Sequence, residues 1–145
     1  MSATQAQSGF GTLFQLGDGE TPTETFTTIA EVINITTPEK NLATVDATHM
    51  ESPQGFMEDI PTLLSSGECT LDLNFLPSSS TQASLDTAML ARRKCNCRII
   101  LPGALKRFEF AGYVTKLGRA MPHDDKMTMS VTVKATGPTS LVDNT

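Results

Sequence analysis

Apolar and polar residues alternate with a period of two over much of this chain, and that spacing predicts strands. The cleanest run is 126–136, where Met127, Met129, Val131, Val133 and Ala135 share one parity and Thr128, Ser130, Thr132, Lys134 and Thr136 share the other. Residues 69–75 repeat it, with Cys69, Leu71, Leu73 and Phe75 set against Thr70, Asp72 and Asn74. Both read as antiparallel strands with one covered face. Residues 12–16, 96–101 and 107–117 are further strands, punctuated by turn signals at Gly17-Asp18-Gly19, at Pro102-Gly103 and over 121–125. Residues 25–36 are rich in Thr, Ile and Val, which favour extended structure, and are apolar on both parities. They read as one long strand covered on two sides. A turn at 38–41 then predicts that residues 42–49 pair back on it as a hairpin.

Helical spacing occurs once. Ser79 and Gln82 fit the first and last positions of a capping box, and helix formers continue to Lys94. A helix over 80–94 is expected, with Leu85, Ala88, Met89 and Arg92 as its inward stripe and Arg92, Arg93 and Lys94 in a last turn that suits positive charge. Strands, one helix, then strands predict a mainly β domain of two packed antiparallel sheets, sandwich or barrel-like, with a flanking helix. Residues 1–11 read as a flexible arm, 12–137 as the domain and 138–145 as a loose tail.

Residues 50–67 fit no period. Pro53, Gly55, Pro61 and Gly67 interrupt them, yet they carry Met50, Phe56, Met57, Ile60, Leu63 and Leu64. A loop this long is uncommon inside a compact domain. Two readings stay open: it folds back over its own core, or it holds apolar surface for a partner.

Charge narrows the choice of partner. Sixteen acidic and eleven basic residues give a net charge of −5, the wrong sign for tight binding to phosphate backbones and a suitable one for a surface that nucleic acid slides past. The three cysteines, Cys69, Cys95 and Cys97, make no disulfide framework and read as reduced thiols of a protein made in a cytoplasm. No signal peptide and no membrane-spanning run are visible. Candidate chemistry is sparse. Cys95-Asn96-Cys97 has a spacing too short for a structural zinc site and lacks a second ligand pair, and His123-Asp124-Asp125 sits in a polar turn. No phosphate loop or nucleophile–base pattern occurs, so no catalytic, cofactor or metal residues are assigned and a structural protein is expected.

The order of pieces resembles the major tail tube proteins of long-tailed, lambda-like phages. The matching pieces are AEVINIT, VDATHMESPQGFMEDIPTLLSSGE, CTLDLNF, STQASLDTAMLARR and RFEFAGYVTKL…KMTMSVTVKATGP, from about Glu31 to Pro138. The middle piece is the most specific, with its Asp46-x-Thr48 strand ending, long loop and entry to the next strand, and the closing Thr136-Gly137 is also similar to the family. The resemblance implies hexameric rings stacked into a hollow tube that delivers DNA, made in the host cytoplasm and carried in the virion tail. It implies a long loop that reaches the adjacent ring and orders on assembly, and partners comprising other copies, a tape measure protein, a tail terminator and tail-tip proteins. An extra immunoglobulin-like C-terminal domain, present in some relatives, is missing from this sequence. On this reading Met50, Phe56, Met57, Ile60, Leu63 and Leu64 stack rings. Either Thr25, Thr27 and Glu31 or their opposite parity, with Thr44 and Asp46, face a lumen that DNA crosses without specific binding. A tube of a contractile tail or secretion/injection system shares the fold, and a ligand-binding β-sandwich is the rival from another class.

Overall fold

A computed structural model describes residues 3–19, 23–103 and 106–143. Among the described residues nine strands and one α-helix follow in the order β1 (Leu13–Gly17), β2 (Phe26–Thr28), β3 (Val32–Thr36), β4 (Lys40–Asp46), β5 (Asp59–Ser66), β6 (Glu68–Asn74), α1 (Ser80–Leu90), β7 (Cys95–Ile100), β8 (Lys106–Ala120) and β9 (Thr128–Asp143), with a single 3-10 turn at Pro53–Gly55. Seven strands form one antiparallel sheet in the order β2-β1-β7-β8-β9-β6-β3, and β4 with β5 forms a second, separate sheet.

The large sheet curls toward closure, so that β3 at one end approaches β1 near the other without pairing to it. The Ile29 N–H donates to the Phe14 carbonyl at 2.9 Å. The inner face collects the inward parity of each strand: Phe14 and Leu16, Cys69, Leu71 and Leu73, Cys95, Cys97 and Ile99, Phe110 and Val114, and Met129, Val131, Val133 and Ala135. The alternation in β6, β7 and β9 thus has a direct physical cause, a single closed core on one side of the pleat.

Helix α1 packs on β8 and adds Leu85 and Ala88 to the core, with Met89 partly buried against it. Ser79 caps it by accepting from the Gln82 N–H at 3.4 Å. The reciprocal half of a capping box is absent, because the Gln82 side chain turns inward. Its carbonyl accepts from Leu76 N–H at 2.9 Å, and its amide donates to the carbonyls of Asn74 at 2.8 Å and Ala30 at 3.1 Å. A buried glutamine therefore ties the helix start to the ends of two strand connections.

Several expectations need correction. Residues 25–36 are not one strand: the chain leaves the β1 edge after Thr28, passes Glu31 at φ 53°, and resumes beside β6 as β3. Residues 42–49 do not pair back on it; β4 pairs with β5. The helix ends at Leu90 rather than residue 94. The N–H of Arg92 bonds to the Met89 carbonyl and that of Arg93 to the Ala88 carbonyl, with Arg92 at φ 53°, a left-handed stop without the usual glycine. Arg92 therefore lies outside the helix and is no part of its inward stripe. The loose tail expected at 138–145 is strand as far as Asp143, because β9 runs on and pairs with the start of β8; residues 144–145 lie outside the described residues. Between the pairs Glu109↔Ser140 and Ala111↔Thr136, residues 137–139 face Phe110 alone, and this bulge accepts Gly137 at φ 82° and the donorless Pro138.

Candidate assembly surface

Residues 50–67 are half strand. The irregular part spans 47–58, and β5 runs antiparallel to β4 to make a two-stranded arm. Every residue of β4 is exposed, and so is β5 as far as Ser65. An arm solvated on both faces shows no in–out alternation, which is why the sequence hides it. Pro61 adds to the disguise, although in a two-stranded sheet its missing N–H is tolerated because each strand is an edge.

The root is held firmly. The Gly67 N–H donates to the Glu39 carbonyl at 2.6 Å, the Ala135 N–H donates to the Gly67 carbonyl at 3.0 Å, and the Ser66 hydroxyl donates to the Gly137 carbonyl at 2.8 Å. A Cβ on Gly67 would lie 3.1 Å from that Glu39 oxygen, so a larger residue would push the crossing strands apart by a few tenths of an ångström.

Register sorts the apolar side chains of the arm. Leu42 lies opposite Leu64, and Val45 lies opposite Ile60. Between these pairs β5 has one extra residue, with Thr62 and Leu63 facing Ala43. Leu42 and Val45 are three residues apart on a regular strand, so the two pairs point to opposite faces. Both faces of the arm are therefore apolar. Phe56 and Met57 at the tip are 69% and 75% exposed, Leu63 and Leu64 nearer the root are 78% and 76% exposed, and Met50 is wholly so. Monomeric proteins rarely leave such a concentration uncovered. All six sequence-chosen loop residues sit on this arm. Leu42 and Val45, missed because β4 was assigned to the body, join them.

The five lumen candidates are not brought together. Thr27 and Glu31 lie on and just after β2, Thr25 precedes it, and Thr44 and Asp46 lie on the arm. Their grouping assumed a pairing of β4 with the 25–36 segment that does not exist. Asp46 accepts from the Thr48 N–H at 2.9 Å, and hydrogen bonds from Thr48 hold its carboxyl below the usual range.

The thiols are core groups. Burial pushes Cys69 up to about 12 and raises Cys97 further, while Cys95 is also raised by burial against an opposing pull from Arg93. Thiols so disposed stay protonated and are poor nucleophiles. Among the described residues, no three His, Cys, Asp or Glu side chains are placed to hold a metal ion, and no helix is long and apolar enough to cross a membrane.

Comparison with known proteins gives this surface its context. Residues 15–142 match the family model of the lambda phage tail tube protein. No curated protein matches the chain by sequence. Among solved structures, a chain in the tail of an empty gene transfer agent (GTA) particle, refined with C6 symmetry, is 21% identical and superposes with a TM-score of 0.77, covering 94% of this chain and 99% of the other. The SPP1 tail tube protein superposes at 0.70 with 6% identity, over 92% of this chain and 76% of that one. A chain of the sheath–tube complex of an extracellular contractile injection system, PVC, superposes at 0.67 with 13% identity, over 91% and 88%. At these identities the likeness is one of fold. The family match covers most of the chain, and its family and structural neighbours are structural proteins. The chain belongs to the lambda phage tail tube protein family and is a structural component of the tail of a virion.

Proposed function

We propose that copies of this chain close into six-membered rings that stack into a hollow tube, and that the arm of each copy seats on the neighbouring ring. The observation that carries this reading is the arm itself, a firmly rooted hairpin with apolar side chains on both faces and no cover from the described residues of its own chain. The sixfold count is supported by the C6 symmetry of the similar GTA tail. Lateral closure has a candidate in β3, which among the described residues pairs only with β6 and leaves its other edge open. A net charge of −5 suits a channel that DNA crosses without sticking. Tape measure, terminator and tail-tip proteins are the partners such a tube needs at its bore and ends.

The test is the double change Phe56→Ser with Met57→Ser. Both side chains are solvated in the single chain, so its stability should move by less than about 0.5 kcal/mol. Each large apolar side chain buried on stacking contributes about 1.5–3 kcal/mol before ordering costs, so negative-stain images should show rings or single chains and no long tubes. Normal tubes from the double variant would overturn the assignment of the arm. A second reading, the tube of a contractile system, draws on the PVC likeness. Isolation of native tubes inside a contractile sheath would favour it.

A further inference from the structure

The arm's tip folds around a small polar knot. Ser52 is the single buried residue between 40 and 66, in a stretch otherwise exposed or half-buried. Its hydroxyl donates to Glu58 Oε2 at 2.7 Å and accepts from the His49 backbone N–H at 3.0 Å. His49 Nδ1 lies 3.1 Å from the same hydroxyl and 3.2 Å from the same carboxylate oxygen. With the Ser52 hydrogen given to Glu58, whose carboxylate only accepts, the tautomer protonated at Nδ1 is the one that satisfies all three contacts. The imidazole thus closes the triangle with its other nitrogen left over.

The backbone is tied at the same place. The Ala47 N–H donates to the Glu58 carbonyl and the Glu58 N–H to the Thr48 hydroxyl, each at 2.8 Å. Inside this frame the Ser52 N–H reaches the His49 carbonyl, the Gly55 N–H reaches the Ser52 carbonyl, and the Phe56 N–H reaches the Pro53 carbonyl, through Gln54 and Gly55 at φ 54° and 72°. Every one of these bonds is local to the tip, and Met50, Phe56 and Met57 stand outside it.

We propose that Ser52, with His49 and Glu58, is a positioning device that gives the tip its shape in the free chain, in departure from the ordering on assembly that the resemblance implies, so that Phe56 and Met57 meet the next ring already set. Ordering a free loop of this length on contact costs conformational entropy for each residue fixed, and a tip with its own framework has met that cost beforehand. This rests on the reading of the arm as the ring-to-ring contact, and its test is chosen to separate the two. Ser52→Ala removes the hub and leaves every apolar side chain in place. In the free full-length chain, the amides of Ala47, Gly55, Phe56 and Glu58 should be protected from hydrogen exchange and should lose about tenfold protection in the variant. The concentration at which tubes appear should rise about tenfold, the change expected from one charge-assisted hydrogen bond. Ser52→Thr keeps the hydroxyl and should restore both values, while the melting of the body stays unchanged in all variants. Unprotected tip amides in the wild-type free chain, or loss of protection with no change in assembly, would overturn the proposal. Normal tubes from the Phe56/Met57 double variant would instead remove the reading beneath it.

Discussion

Gln82 allows the most direct energetic test of the body. Its side chain is 2% exposed and makes three hydrogen bonds, to Leu76 N–H and to the carbonyls of Ala30 and Asn74. Gln82→Met keeps much of the volume and removes all three. A buried polar group left unpaired costs about 1–3 kcal/mol. The three partners belong to half-buried residues, so water recovers part of that, and a loss of about 3–4 kcal/mol is expected. For a domain with about 5–15 kcal/mol in total, this is a large fraction. With a urea dependence of about 2 kcal/mol per molar, the unfolding midpoint of the free chain should fall by roughly 2 M with an unchanged slope. Gln82→Glu should be worse, because a carboxylate then faces two carbonyls. A midpoint shift below about 0.3 M for Gln82→Met would show that the glutamine is incidental and that helix α1 is held by Leu85 and Ala88 alone.

Two further outcomes follow from the core. Cys69 is protonated in both states below pH 9, but between 9.0 and about 12 only the folded state keeps the proton. Unfolding then releases it, so stability falls as pH rises, by about 1.4 kcal/mol per pH unit for this thiol. Cys69→Ala should flatten the alkaline fall in urea midpoints between pH 9 and 10.5, and an identical pH slope would refute the thiol's part. Gly112 lies opposite Cys95 on one side and Ala135 on the other, and a Cβ there would run into the Lys134 backbone carbonyl. Gly112→Ala should force β8 and β9 apart at a cost of about 2 kcal/mol, lowering the melting temperature by roughly 5–8 °C. An unchanged melting curve would mean that the sheet relaxes freely at that point.

What the sequence made legible was what one-sided burial imposes. In β6, β7 and β9 each inward residue touches one core, so the period of two survives in the letters. The helix start was legible because Ser79 caps it, but its end was not, since Arg92 takes the left-handed position usually marked by glycine. The continuation of β9 past Gly137-Pro138 was hidden because both residues signal a stop, and only the bulge opposite Phe110 reconciles them with a strand. The apolar loop residues were visible by composition. Their division between two faces was not, because it depends on one extra residue in β5 that only pairing reveals. The knot at Ser52 joins residues too ordinary, and too unevenly spaced, to stand out.

Pro61 has a consequence for how safely such a protein can wait in solution. A hairpin with bare leucines and two open edges is the kind of element on which strands of other molecules ordinarily accumulate without limit. Here the strand carrying most of the grease has no hydrogen to offer at position 61 and an irregular register beside it, where Thr62 and Leu63 share one facing residue. Acids at Asp46 and Asp59 face each other at the far end of the ladder and repel. Greasy side chains can thus seek a shaped seat while the main chain declines to act as a template, and adhesion is kept apart from fibril growth.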